Sequence, residues 1–573
     1  MCVIFALLNN ENKIDNNYII EQFNKSQHRG PDCTQSYVKE DIFIGFHRLA
    51  INGLNSDSDQ PFLIDNILLI CNGEIYNYKQ LYENINKNAT TNSDCEIIIY
   101  LYQQYGISYI LNLLDGVFGF ILIDFNINKM FVARDPYGVR PLFYLSSNND
   151  NMIAFASEIK QLSGFILNNS NDEVNKEILP IDPGSYMELE LFENKKWNIV
   201  EETKYMTFDL NRLGPCVKTI NLDNILNTLH DLFCEAVIKR VQATDRPIAC
   251  LLSGGLDSSI VTSLVSRIYP NQLETYSIGL KNSEDLEYAR KVATYLNTKH
   301  TEIIVSEEDF FNYIPIVIKN IESYDTTTVR ASVGNYLVAQ YISENSDAKV
   351  IFNGDGSDEV MGGYLYLTRA DDHLEFDKEC KRLVKDIHHF YVLRSDRCVS
   401  TNGLEPRTPF LDREFVNYYL SLPSNIRFET NKKQEKYLFR KAFDKDYLPK
   451  EVLWRRKEAF SDGVSSQVRS WHTIIEEKVV EQKDIVYDIN KIYNHNSPQT
   501  LEQLYYRTIF EQYYPNMGHH IPYFWMPKYI NASDCSARTL DIYNNSNVRL
   551  ENSLENSLEN SLENNLENNL EII

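Results

Sequence analysis

Three groups of residues have types and spacings that suit chemistry. Cys2 stands where loss of the initiator methionine leaves it first in the chain. Its thiol then lies beside a free α-amine whose ordinary pKa is ~7.7–8.0. That amine can take the thiol proton, so one residue supplies both nucleophile and base. A thiolate that attacks an amide needs donors for the tetrahedral oxyanion and charges that hold the two ends of the substrate. Arg48, in Gly45-Phe46-His47-Arg48-Leu49-Ala50-Ile51-Asn52, offers a planar fork for a carboxylate. Cys71-Asn72-Gly73-Glu74 offers the Asn72 amide and the Gly73 N–H as oxyanion donors, while Glu74 and Asp94 suit an amino group.

The second group is Leu252-Ser253-Gly254-Gly255-Leu256-Asp257-Ser258-Ser259, which follows an apolar run and opens a stretch with helical spacing. Its glycines let the backbone curl into a nest of N–H groups for phosphate oxygens, at the start of a helix. Ser253, Ser258 and Ser259 add hydroxyl donors, and Asp257 can hold Mg²⁺ against the same phosphates. The Gly-Lys-Ser/Thr of a Walker loop is missing. The third group is dispersed. Thr326-Thr327-Thr328-Val329-Arg330 gathers hydroxyls and a cation, Asn353-Gly354-Asp355-Gly356-Ser357-Asp358-Glu359 is acidic, and Arg455-Arg456-Lys457 is basic.

The elements that must carry these residues change character along the chain. Up to about residue 205, short β-rich runs (Ile42–Phe46, Ile67–Cys71, Phe118–Asp124, Met130–Ala133, Ile153–Ala156) are separated by turns at Asn72-Gly73 and Pro136-Tyr137-Gly138. A helical spacing over Asp94–Gln104 makes this an α+β layered domain. From about Asn221 strands and helices alternate. Leu222–Val241, Ser258–Tyr269 and Asp285–Leu296 read as helices; Ile248–Leu252, Thr275–Leu280, Thr301–Val305 and Val350–Asn353 read as strands. That alternation predicts a parallel α/β sheet with ligands at the carboxyl ends of its strands. Beyond about residue 370 the pattern is mostly helical. The Leu-Glu-Asn repeats at the end read as low-complexity tail. We therefore expect domains over residues 2–205 and 206–540, and a tail over 541–573.

The 573 residues exceed one hydrophobic core. A formal charge of −24 disfavours nucleic acid and anionic membrane surfaces as partners. No run approaches the ~20 apolar residues of a membrane span. Ten cysteines without a CxxC pair argue against zinc and a disulfide framework, and fit a reducing, cytoplasmic compartment.

In this order the N-terminal motifs resemble the class II glutamine amidotransferase domain, an N-terminal-nucleophile αββα fold. His28-Arg29-Gly30-Pro31-Asp32 and Arg134-Asp135-Pro136-Tyr137-Gly138-Val139-Arg140-Pro141-Leu142 extend the likeness over residues 2 to about 190. It implies Cys2 as nucleophile, Asn72 and Gly73 as oxyanion hole, and Arg48, Ile51, Asn52, Glu74 and Asp94 around glutamine. The loop at 253–259 resembles that of ATP pyrophosphatases. Together with Gly403-Leu404-Glu405, Pro409-Phe410-Leu411-Asp412, Trp454–Gly463 and Trp525–Ala532, the whole is similar to eukaryotic-type asparagine synthetases as far as about residue 540. This resemblance implies a parallel-sheet ATP-pyrophosphatase domain with a helical C-terminal part. It implies ATP at Leu252, Ser253, Gly254, Gly255, Asp257, Ser258, Ser259, Ile278, Asn353 and Gly354, and Mg²⁺ at Asp257 and Asp358. Aspartate or phosphate is expected at Thr327 and Arg330, with Asp355 and Lys457 at the reaction centre. Glutamine, aspartate and ATP are the implied substrates, an apolar passage would carry ammonia, and a homodimer is in keeping with the family.

Three departures bear on this. Val3 replaces the glycine usual after the nucleophile, Asn353 and Asp355 replace the serine and glutamate of the usual Ser-Gly-Glu-Gly-Ser-Asp-Glu, and Pro406 interrupts Glu405 and Arg407. They define the alternatives: an ammonia-using synthetase with an impaired glutaminase, or a non-catalytic relative. A further alternative, an enzyme resembling β-lactam synthetase, predicts loss of the cysteine that is here. Misplacing a catalytic group slightly can cost ~10²-fold in rate, so the shorter Asp355 predicts slow synthesis. Asp355→Glu is expected to raise the turnover of the purified protein; unchanged turnover would count against this role.

Overall fold

The computed structural model describes residues 1–11, 13–147, 151–167, 176–207, 221–482 and 493–543; the expected tail beyond residue 543 lies outside the described residues. Alternating apolar side chains build the first half. Its strands are β1 (Val3–Leu8), β2 (Cys33–Lys39), β3 (Ile42–Arg48), β4 (Phe62–Ile64), β5 (Ile67–Ile75) and β6 (Gly116–Asp124). They continue with β7 (Lys129–Arg134), β8 (Phe143–Ser147), β9 (Ile153–Ala156), β10 (Lys176–Pro180), β11 (Ser185–Leu191) and β12 (Trp197–Lys204). Two antiparallel sheets result, ordered β10-β8-β9-β1-β3-β2 and β12-β11-β7-β6-β5-β4.

Successive side chains of a strand face opposite ways. Ile4, Ala6 and Leu8 of β1 therefore pack between the sheets against Leu68, Ile70, Ile121 and Val132. Phe5 and Leu7 turn outward onto Ile19 and Phe23 of the helix Asn16–Asn24 and onto Leu162 and Phe165 of the helix Ile159–Leu167. On the far side, Leu69, Cys71, Phe118 and Phe120 pack on the helices Ile97–Tyr105 and Ile107–Leu113. The layers run α, β, β, α, as expected. Val3 opens β1 opposite His47, in an extended conformation that suits a β-branched side chain.

The second half holds a parallel sheet of β13 (Ile248–Leu251), β14 (Glu274–Leu280), β15 (Lys299–Val305), β16 (Val350–Phe352) and β17 (Glu405–Arg407), ordered β15-β14-β13-β16-β17. The chain builds outward from β13 to β14 and β15, then returns to the other side of β13 for β16 and β17. The reversal places a crevice at the carboxyl ends of β13 and β16. Helices supply most of the rest. The helix Leu222–Gln242 is capped by Asn221, whose side chain accepts from the N–H groups of Asp223 and Asn224. Its buried stripe of Ile225, Leu229, Phe233 and Val237 follows a helical period, and Phe233 meets Phe410, Phe439 and Phe415 at ring distances of 4.3, 5.0 and 5.2 Å.

One expectation fails here. Asn72-Gly73 is not a turn: both lie inside β5, opposite Gly119 and Phe118 of β6. A nine-residue register with β6 overrides the local turn preference of the dipeptide. The stretch beyond residue 370 is mostly helical, as expected, with Glu405-Pro406-Arg407 forming β17 within it. β17 is an edge strand, where proline is tolerated because no further strand needs its missing N–H.

Phe233 anchors the aromatic cluster beneath the parallel sheet. Phe233→Ala is expected to cost about 3–5 kcal/mol, measured as a lowered midpoint of urea unfolding of the full chain.

Candidate active sites

Cys2 immediately precedes β1. Its Sγ is 3.6 Å from the Leu49 carbonyl, and burial raises the thiol pKa against the opposing pull of the N-terminal ammonium. That α-amine, on the buried Met1, is pushed down to about 6 by burial. β1 packs on β5, which brings Cys2 to the end of the sandwich where β5 carries Asn72, Gly73 and Glu74. The Asn72 side chain is buried, and neither its nitrogen nor its oxygen has a hydrogen-bond partner. An unpaired amide inside a protein is costly, and this one has a donor and an acceptor to offer.

Glu74 is buried beside it. Its carboxylate accepts from Asn52 Nδ2 at 2.6 Å and lies 3.3 Å from Arg407 Nη2 of the second half. Burial, then Asp94 and Glu405, pushes its pKa well above the usual carboxylate range. Asp94 accepts the Ile75 N–H at 2.6 Å, and burial lifts its pKa to about 6. Two carboxyl groups so destabilised as anions would be relieved by a ligand ammonium. Arg48 uses its terminal nitrogens on the carbonyls of Asn52 (3.1 Å), Gly53 and Asn55 (3.2 Å) and on Asp59 (2.5 Å), so it braces the loop that holds Asn52. Ile51 is packed in the core with Leu49 and Tyr76, and its carbonyl accepts the Asp245 N–H from the second half.

The second site is a cavity of about 190 Å³ at the carboxyl ends of β13 and β16. Leu252, Ser253, Gly255, Asp257 and Ser258 form one wall, Ile278 and Thr327 another, and Asn353, Gly354, Asp355 and Asp358 a third. Ser253 Oγ and Ser258 Oγ are 3.0 Å apart. Gly254 lies behind the wall with φ +73°, and a Cβ there would come within 2.4 Å of Ala289 N and 2.5 Å of Tyr288 C, so no other residue fits this bend. Ser259 is also set back, buried in the helix Leu256–Ile268.

Two aspartates and two lysines of the cavity form a cluster. Lys457 Nζ is 2.6 Å from Asp358 and 3.8 Å from Asp257. Lys436 Nζ is 2.7 and 2.6 Å from the two oxygens of Asp257 and 2.5 Å from Asp358. Burial opposes the Lys457 charge, but Asp358 and Asp257 outweigh it and raise its pKa. For Asp358 burial is likewise outweighed, by Lys436 and Lys457, and its pKa falls. Asp355 pairs with Arg394 of the helix Tyr391–Ser400, and Asn353 Nδ2 donates to Ser395 of the same helix at 2.6 Å. For Mg²⁺ the donor chemistry fits: Asp257 and Asp358 present hard oxygens to one point, and magnesium keeps phosphate and water ligands besides a few carboxylates. No cluster of three or more His, Cys, Asp or Glu stands ready to hold a metal alone among the described residues.

Arg330 is not brought to the cavity either. Arg330 gives Nε and Nη2 to Glu502 at 2.8 and 2.5 Å, and Nη1 and Nη2 to Asp534 at 2.7 and 2.8 Å. Two carboxylates consume the guanidinium, which makes it a strut and not a phosphate ligand. A buried chain of ion pairs also joins the two halves. Arg407 reaches Glu405 at 2.9 Å, Glu405 reaches Arg140 at 3.7 Å, and Arg140 reaches Asp396 at 3.5 Å, all of them buried. Lys436 and Arg394 were missed by sequence reasoning, since each sits in a charged stretch with no motif around it.

An α-β-β-α sandwich with a cysteine just ahead of its first strand, joined to a parallel sheet with a glycine-serine loop, has the layout of a glutamine amidotransferase domain coupled to a synthetase domain. The glutamine amidotransferase domain family matches residues 1–203, and the asparagine synthase family matches 228–375 and 368–528. Asparagine synthetase [glutamine-hydrolyzing] of Gallus gallus is 40% identical over 570 residues, covering 95% of this chain and 100% of that one. The proteins of the same name from Rattus norvegicus and Homo sapiens are each 41% identical over 569 residues, with the same coverage. The chain belongs to the family of glutamine-hydrolysing asparagine synthetases.

Gly254→Ala is expected to weaken ATP binding at least about tenfold through backbone strain and steric conflict. Equilibrium dialysis measures the loss, and an unchanged circular dichroism spectrum shows that the fold survives.

Proposed function

We propose that this chain makes L-asparagine from L-aspartate and ATP with the amide nitrogen of glutamine, releasing glutamate, AMP and pyrophosphate. The observation that carries the reading is the pairing, in one chain, of the unpartnered Asn72 amide near Cys2 with the Asp257–Asp358–Lys436–Lys457 set beside the Ser253–Ser258 loop.

Once Met1 is removed, the Cys2 amine takes the thiol proton and Sγ attacks the glutamine amide. Asn72 Nδ2 and the Gly73 N–H hold the oxyanion, and Glu74 and Asp94 hold the substrate ammonium. Arg48 keeps Asn52 and its loop in place. The released nitrogen must reach the second site as neutral ammonia, because ammonium has no lone pair. There ATP lies with its phosphates on the Ser253–Ser258 loop and Asn353-Gly354, its adenine toward Leu252 and Ile278. Magnesium, held at Asp257 and Asp358, supplies charge neutralisation on the phosphates. The β-carboxylate of aspartate, near Thr327, attacks the α-phosphorus, pyrophosphate leaves, and Lys457 balances the charge that builds on phosphorus. Ammonia then attacks the acyl carbon of β-aspartyl-AMP, displacing AMP. Arg394 draws Asp355 to the cavity wall.

The domain limits 2–205 and 206–540, a cytoplasmic location and a homodimer belong to this proposal, the location on the cysteine pattern and the homodimer on family resemblance. The test is formation of asparagine and pyrophosphate from aspartate and Mg-ATP with glutamine or ammonium as donor. Cys2→Ala is expected to abolish the glutamine-dependent reaction and spare the ammonium-dependent one. No pyrophosphate with either donor would refute the reading; ammonium-only activity in the wild type would refute the coupled glutaminase alone.

A further inference from the structure

Lys436 has an unusual setting for a surface-type residue. It is 1% exposed, and its backbone is left-handed at φ +57°, a conformation that side-chain-bearing residues adopt at a cost. Asn431 fixes that backbone: its Oδ1 accepts the Lys436 N–H at 2.8 Å, while its Nδ2 donates to the carbonyls of Met361 and Gly362 at 3.0 and 2.9 Å. Met361 ends the short helix Ser357–Met361 that carries Asp358. The root of Lys436 is thus tied to the element that bears one of its two carboxylate partners. Its stem passes Gly363, where a Cβ would lie 2.2 Å from Lys436 Cε and 2.1 Å from Asp358 Oδ1. The site is built to admit this side chain.

We propose that Lys436 is an internal counter-ion: in nucleotide-free protein its ammonium fills the place between Asp257 and Asp358 that a divalent cation takes with ATP, so metal and nucleotide bind only together. The inference rests on the reading of these two aspartates as the metal-holding pair. Charge supplies the reason. Two carboxylates already face two ammonium groups, and a divalent ion added alone would leave two uncompensated positive charges in a buried site. The phosphates of ATP remove that penalty and offer the Lys436 ammonium a new partner within reach of its flexible stem. Only the stem needs to move, because Asn431 holds the backbone. In the bound state Lys436 would contact the phosphates alongside Lys457, and its charge would favour departure of pyrophosphate.

Mn²⁺ is the probe, with protein-bound ion measured by electron paramagnetic resonance and water-proton relaxation on the full chain. Nucleotide-free wild type is expected to bind no Mn²⁺ at Asp257, while wild type with an ATP analogue bridged by methylene between the α- and β-phosphorus binds it. Lys436→Met is expected to bind Mn²⁺ without nucleotide at least about tenfold more tightly than wild type, and Asp257→Asn in that background should abolish the gain. Equal Mn²⁺ affinity of wild type and Lys436→Met overturns the proposal. So does Mn²⁺ binding to nucleotide-free wild type that Asp257→Asn removes, a measurement that stands even where Lys436→Met does not fold. Failure of the wild type to bind Mn²⁺ with the analogue present would sink the metal assignment, and this proposal with it.

Discussion

The parallel pairing of β13 with β16 is the constraint on which the synthetase half depends. The two strands are about a hundred residues apart in the chain, yet Ile248, Ala249 and Cys250 lie beside Val350, Ile351 and Phe352. Their carboxyl ends therefore open on the same crevice, one giving way to the serine-glycine loop and the other to the acidic turn. Asp257 and Asp358 face each other only because of this register. A slip of one residue would turn each side chain to the opposite face of the sheet and part the carboxylates. The lysines that neutralise them come from later in the chain, Lys436 from a turn between two helices and Lys457 from an irregular stretch.

The two halves meet through buried charge. Arg29 joins Asp396 at 2.9 Å and Glu158 at 3.2 Å, Arg140 approaches Asp396 and Glu405, and Arg407 links Glu405 to Glu74. Buried ion pairs contribute little net stability, because desolvation offsets the attraction, but loss of one partner is severe. Their value here is geometric. A charged side chain that is buried must find its partner at one place, so the network sets how the sandwich and the parallel sheet dock. Glu405 and Arg407 also make the glutamine pocket partly a property of the second half, since Arg407 touches the carboxylate expected to receive the substrate's amino group.

How much of this was legible in the sequence depended on whether the cause was local. The loop at Ser253–Ser259 was legible because only glycine accepts the bend at Gly254, and helical spacing follows it directly. The strands of the first half were legible as short apolar runs such as that of β6, whereas the α-β-β-α layering was implied by the family resemblance of the motifs and not by the pattern of any one strand. The dipeptide Asn72-Gly73 misled, since its turn preference is local whereas its place in β5 is fixed by a partner strand some 45 residues on. Arg330 misled for the same kind of reason: Glu502 and Asp534, which consume its guanidinium, lie 172 and 204 residues away. Lys436 gave no signal at all, because Lys432-Lys433-Gln434-Glu435-Lys436 reads as a solvated helix end. Its burial is decided by Asn431, Gly363 and two distant aspartates.

The unpartnered Asn72 amide has a thermodynamic consequence. A polar group folded into the interior without an acceptor lowers the stability of the empty protein by about 1–3 kcal/mol, and the first ligand to present an oxygen there restores part of it. Binding at that amide and resistance to unfolding are then linked functions.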